Sequence, residues 1–142
     1  MEPLKSTNVA GPIIIENSKV LLIRAKKDNG SSDWQFPGGK QEKSDIDFEA
    51  TCKREAREEL GIELNIKELL KEITVKDKNK EIFLIHYLAE RVGEIQPGHE
   101  VVEWGWHSID KLPSNCAPNV YEVIKEYKKK ETEKREGGFN KK

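Results

Sequence analysis

Phe48, Cys52, Ala56 and Leu60 recur every four residues in an otherwise charged stretch, and that spacing constrains the fold more than any other feature of the chain. Apolar side chains at that interval line one stripe of an α-helix, and the stripe must lie against a core. The helix is predicted over residues 46–60. Ser44 and Asp47 stand at capping-box spacing, with Asp45 as an alternative cap, and Gly61 suits the residue beyond the end. Strand-like segments flank this helix on both sides. Residues 8–15 and 19–24 are rich in Val, Ile and Leu, and the polar Glu16-Asn17-Ser18 between them predicts a hairpin or neighbouring strands. Residues 26–33 form a polar loop, and Trp34-Gln35-Phe36 is a short strand stopped by Pro37-Gly38-Gly39.

Downstream, residues 68–76 and 81–91 read as strands that turn at Lys78-Asn79-Lys80. The second of these places Ile82, Leu84, His86 and Leu88 on one face and Phe83, Ile85, Tyr87 and Ala89 on the other, so both faces are covered. A loop over 93–100 leads to a further strand at 101–108. Residues 119–130 form a second helix, with Val120, Val123, Ile124 and Tyr127 on one side. Strands, helix, strands, helix is the order of a layered α/β (α+β) domain.

With 142 residues the chain suits one domain, taken as 1–130, and the Lys-, Glu-, Arg- and Gly-rich residues 131–142 read as a disordered charged tail. A net charge of −1 gives no global field toward nucleic acid or an anionic membrane, so no DNA partner and no membrane is expected. Any nucleotide partner must then be held by a local site. No apolar run approaches the ~20 residues of a bilayer span, and the first ten residues lack the pattern of a secretory signal. Cys52 and Cys116 have neither metal nor disulfide-framework spacing and read as free thiols, so the expected compartment is cytoplasmic. Monomer and homodimer both remain open.

The chemistry concentrates in Arg54-Glu55-Ala56-Arg57-Glu58-Glu59-Leu60-Gly61-Ile62. At ~100° per residue, Glu58 and Glu59 lie ~60° and ~40° to either side of Glu55, so three carboxylates share an arc of about 100°. Like charges so placed repel, and near a helix C-terminus they also oppose the dipole. A cation belongs there. Mg²⁺ is the natural candidate, with Mn²⁺ an alternative, because a hard cation takes oxygen ligands and works with substrate phosphates. Arg54 lies beside this face and can orient or neutralise the acids.

This run, with Gly38-Gly39 before it, resembles the Nudix box, G-x5-E-x7-R-E-U-x-E-E-x-G-U with U aliphatic. Its second half matches throughout from Arg54 to Ile62, while the middle is one residue longer and offers Asp45 where the pattern has its first Glu. The strand at 20–24, the strand at 82–90 and the run from Glu103-Trp104-Gly105-Trp106 to Asp110-Lys111-Leu112-Pro113 have counterparts in that family. The resemblance covers roughly residues 8–127.

It implies an α/β/α sandwich with a mixed sheet, hydrolysing the diphosphate linkage of a nucleoside diphosphate joined to another group. It further implies Glu55, Glu58 and Glu59 as metal ligands with the Gly38 carbonyl, and Asp45 as a support for Arg54. The catalytic set is Glu58, Arg54 and a general base, for which Glu100 and Glu103 are candidates; Glu103 is preferred because it directly precedes Trp104. Arg24 is a candidate for phosphate, Phe36 for stacking on a base and Asn119 for reading a base edge, although capping the last helix is the commoner use of such an Asn. Trp34, Trp104 and Trp106 are further aromatic candidates, and His86, His99 and His107 read as structural or exposed. The favoured substrate is a (d)NTP, cleaved to NMP and pyrophosphate. A nucleotide sugar, ADP-ribose, a dinucleoside polyphosphate or capped RNA are alternatives, and a non-catalytic nucleotide-binding Nudix module is the alternative of another class.

Overall fold

Asn17 and Ser18 both take positive φ, 52° and 61°, which is the two-residue turn whose twist matches paired strands. In the computed structural model, which describes residues 5–140, that turn joins β2 (Ile15–Glu16) to β3 (Lys19–Lys27). The hairpin is therefore shorter than the sequence suggests. Most of the expected first strand is β1 (Lys5–Ile13), which leaves at Ile14 for another sheet and runs parallel to β7 (Lys80–Val92).

One sheet has the order β5-β1-β7-β6, where β5 is Gly39–Lys40 and β6 is Glu63–Asp77. The other has β3 at its centre, with β2, β4 (Gly30–Ser31) and β8 (Val101–Ser108) paired to it. The Trp34–Phe36 segment makes only single bridges, Gln35 to Ile23 and Trp34 to Cys116.

Alternation along β3 explains the layers. Leu21 and Ile23 join Cys52, Ala56 and Leu60 of α1 (Phe48–Leu60) in one core, with Ala10, Ile85 and Ala89. Val20 and Leu22 face the other way, into a second core with Val120, Val123 and Ile124 of α2 (Pro118–Asn140). Two helices thus cover opposite sides of the strands, giving the α/β/α sandwich. Leu60 is fully buried, so Leu60→Ala carries the usual cost of a core cavity, about 2–5 kcal/mol.

Both helices differ from expectation at their ends. α1 begins at Phe48 with Asp47 as its cap, accepting from Ala50 N–H at 2.7 Å, while Ile46 stays 91% exposed outside the helix. Gly61 closes it in the left-handed conformation. α2 continues to Asn140, through the residues expected to be a disordered tail. Lys, Glu and Arg are good helix formers, and Lys134 pairs with Glu131 one turn back and with Glu68 of β6. Polarity alone does not separate a solvated helix from coil. Residues 141–142 of that tail lie outside the described residues.

Candidate active site

Gly38 joins two neighbouring features, an acidic cluster on α1 and a cavity beside β1 and β7. Its φ of 146° and the closeness of β1 both demand glycine, since a Cβ would stand 2.7 Å from the Ala10 carbonyl oxygen. A Cβ on Gly39 would collide with the Glu55 carboxylate. The Gly-Gly turn is thereby wedged between β1 and α1, and Gly38 N–H donates to Glu59 Oε1 at 2.8 Å.

On α1, Arg54 is the hub. Its Nε and Nη2 fork onto Asp45 at 3.0 Å each, Nη2 also reaches the Lys40 carbonyl at 2.8 Å, and Nη1 lies 3.2 Å from both Glu55 Oε2 and Glu58 Oε2. Asp45 is nearly buried and also accepts from Glu42 N–H and the Thr51 hydroxyl. The Arg54 guanidinium, with the Glu42 N–H, holds its carboxyl well below the usual range. The expected supporting pair forms despite the extra residue and the shorter acid, because the 40–45 turn folds back far enough to meet Arg54.

The three glutamates share a face, as their spacing requires, but differ in environment. Glu58 is more than half exposed. Burial raises Glu55, against the opposing charge of Arg54. Burial pushes Glu59 up to about 8; the Gly38 N–H bond and Arg54 pull it down, while the charges of Glu55 and Glu58 push it further up. Such carboxylates are costly to ionise without a nearby cation, and their oxygens are the hard donors that Mg²⁺ takes. The residues therefore fit a divalent ion by chemistry. Among the described residues no three acidic or metal-binding side chains converge closely enough to hold one as they stand. Arg54 Nη1 sits among Glu42, Glu55 and Glu58.

The base candidates are placed differently. Glu103 lies opposite Arg24 on β8 and accepts from its Nη1 at 3.0 Å. Arg24 is further engaged by the Ser32 carbonyl, the Ser31 hydroxyl and the face of Trp34. The structure does not bring Arg24 into the acidic cluster. Glu100 ends a loop stitched to the C-terminal turn of α1 by Gln96 N–H to the Leu60 carbonyl and Gly98 N–H to that of Glu59, at 2.7 and 2.9 Å. The Glu100 side chain is 69% exposed.

The cavity, of about 180 Å³, is lined among others by Gln35, Phe36, Gly38, His86 and Asn119. Phe36 is 7% exposed and meets the His86 ring edge to face, so it forms a wall. Asn119 is inside the first turn of α2 and bonds His86, which replaces the expected capping role. His86, expected to be structural or exposed, is 4% exposed and lines this cavity. The available signal was a polar side chain on the covered face it shares with Leu84 and Leu88. Of the other aromatics, Trp34 packs against His107, Trp106 lies under Arg91, and Trp104 is 37% exposed. Both cysteines are buried and free, and no helix among the described residues is long and apolar enough to cross a membrane.

The family model of the NUDIX domain matches residues 6–127. A MutT-like protein of Streptomyces ambofaciens is 40% identical over 122 residues, covering 85% of this chain and 75% of that protein. The 8-oxo-dGTP diphosphatase of Buchnera aphidicola subsp. Schizaphis graminum is 36% identical over 62 residues, 43% of this chain and 47% of that protein. The solved MutT Nudix hydrolase of Burkholderia pseudomallei superposes with a TM-score of 0.76 at 26% identity, covering 86% of this chain and 98% of that one. With the acidic face of α1, the Gly-Gly turn and these matches in agreement, the protein belongs to the Nudix hydrolase family, a family of phosphoanhydride hydrolases.

Proposed function

We propose that this protein is a Mg²⁺-dependent pyrophosphohydrolase of a (d)NTP, releasing NMP and pyrophosphate. The observation that carries this reading is the shared Gly38, which lines the cavity and bonds Glu59 of the acidic cluster. A base seated between Phe36 and Asn119 extends its phosphates across Gly38 toward Glu55, Glu58 and Glu59. The relative named for a nucleoside triphosphate favours a substrate of that class.

Glu55, Glu58 and Glu59 would hold the ion, with the Gly38 carbonyl as a further oxygen. When bound, Mg²⁺ neutralises phosphate oxygens and acidifies a water. Arg54, anchored by Asp45, sets the positions of Glu55 and Glu58 and screens their repulsion. We assign the general base to Glu100, in place of the Glu103 preferred from sequence, because Glu103 on β8 is committed to Arg24 while Glu100, whose carboxylate meets the exposed His99 ring at 3.5 Å, is 69% exposed at the end of a loop tied to α1. Its carboxylate takes the proton of the attacking water as the water oxygen bonds to the α-phosphorus and the oxygen–phosphorus bond to the pyrophosphate leaving group breaks.

The test is a panel of nucleoside triphosphates, nucleotide sugars, ADP-ribose, dinucleoside polyphosphates and capped RNA, assayed for product with Mg²⁺, with Mn²⁺ and with chelator. Pyrophosphate release from triphosphates that stops with chelator is expected. Binding without turnover of any compound would overturn the enzymatic reading in favour of a regulatory module.

A further inference from the structure

The cavity contains a directed hydrogen-bond chain. A bulge in β6 between Leu69 and Lys71 interrupts the ladder beside His86, and the Lys71 carbonyl lies 2.9 Å from His86 Nδ1. A carbonyl oxygen can only accept, so Nδ1 carries the hydrogen. The ring is 4% exposed, and burial lowers its pKa against the Lys71 carbonyl and the Glu122 carboxylate, which raise it. A neutral ring protonated at Nδ1 has a lone pair at Nε2. Asn119 Nδ2 stands 3.1 Å from that lone pair and donates to it. Rotating the amide by half a turn would set oxygen against lone pair, so the order Lys71, His86, Asn119 allows one amide orientation.

We propose that His86 is a positioning residue for substrate selection, holding Asn119 so that its Oδ1 and second N–H form a fixed acceptor–donor pair for a nucleobase edge. The pair selects bases that present an N–H or NH₂ donor beside an acceptor, the match an Asn amide makes with the N6–N7 edge of adenine. A freely turning amide accepts either order and discriminates less. The acid cluster can work on any phosphate; this chain decides which base brings it there. The inference rests on the nucleotide reading of the cavity.

Two measurements test it without metal. Nitrogen-15 NMR of the histidine rings in the wild-type protein at neutral pH should find His86 neutral with its hydrogen on Nδ1; a hydrogen on Nε2, or a charged ring, overturns the proposal. Calorimetric titration with the four dNMPs and with 7-deaza-dAMP, which lacks the N7 acceptor, should give a spread of Kd. His86→Leu, checked for folding by circular dichroism, should compress that spread by about tenfold, the scale of one or two neutral hydrogen bonds. His86→Gln, which can still accept from Asn119 through its amide oxygen, should restore part of it. A spread unchanged in a folded His86→Leu protein overturns the positioning role. Triphosphate turnover by the wild-type protein is measured alongside. Turnover with an unchanged spread removes only the role of His86, whereas no turnover and no dNMP binding removes the nucleotide reading and this inference with it.

Discussion

On one side of Gly38 stand charged side chains drawn almost entirely from one helix; on the other stand Phe36, His86 and Asn119, neutral and drawn from a connecting segment, a strand and a second helix. The acidic side is held together by a single guanidinium and remains partly open to solvent. The cavity side is held by burial and by one ordered run of hydrogen bonds. The two sides share only a glycine backbone.

The comparison is sharpened most by the base. Glu100→Gln should lower kcat by about 10²–10⁴-fold, the usual weight of a general base, while Glu103→Gln stays within a few-fold. Steady-state rates of the two variants decide it; equal small losses would place the base elsewhere. Next, Glu58→Gln should cost on the order of 10²–10³-fold, as loss of a charge-stabilising clamp does, with an unchanged circular dichroism spectrum. Near-normal turnover in that variant would remove the helix face from the chemistry.

A smaller effect is expected from Asp45→Asn, which weakens the anchor of Arg54 and leaves the three glutamates. The Mg²⁺ needed for half-maximal rate should rise by no more than about 10–100-fold, the range of an outer-shell partner, and the melting temperature should fall. The Asp45 carboxyl is held below its unfolded value, so its contribution to stability is present above about pH 4 and declines as pH falls through the folded value. The variant should therefore lose stability at neutral pH and show less further loss in acid than the wild-type protein. A large Mg²⁺ effect with stability unchanged would make Asp45 a ligand.

The smallest effect belongs to the neutral side. His86 has a folded value below its unfolded 6.5, so the unfolded chain binds more protons beneath that pH. Stability is full above 6.5 and declines below it, with a slope of at most about 1.4 kcal/mol per pH unit for this group. Denaturant melts of His86→Gln between pH 5 and 7 should lack that slope. A slope retained in full would assign it to another group, and the charges near this ring would have to be redrawn.

By itself the sequence determined the helix stripe, the shared arc of three glutamates, the positions of most strands and the family resemblance. These depend on neighbours within one turn or on strict alternation, and local geometry is the same wherever the element packs. Asp47 as the cap was a near miss of the same local kind, one of several acids within reach of the helix start. Only the tertiary structure decided that β1 parts from the hairpin to run parallel with β7, that Glu103 is spent on Arg24, and that α2 continues past residue 130. It also decided that His86 touches Asn119, 33 positions away, while the Lys71 carbonyl beside a bulge in β6 meets its other ring nitrogen. Such contacts are set by how whole layers stack and where a ladder slips, and no periodicity along the chain records them.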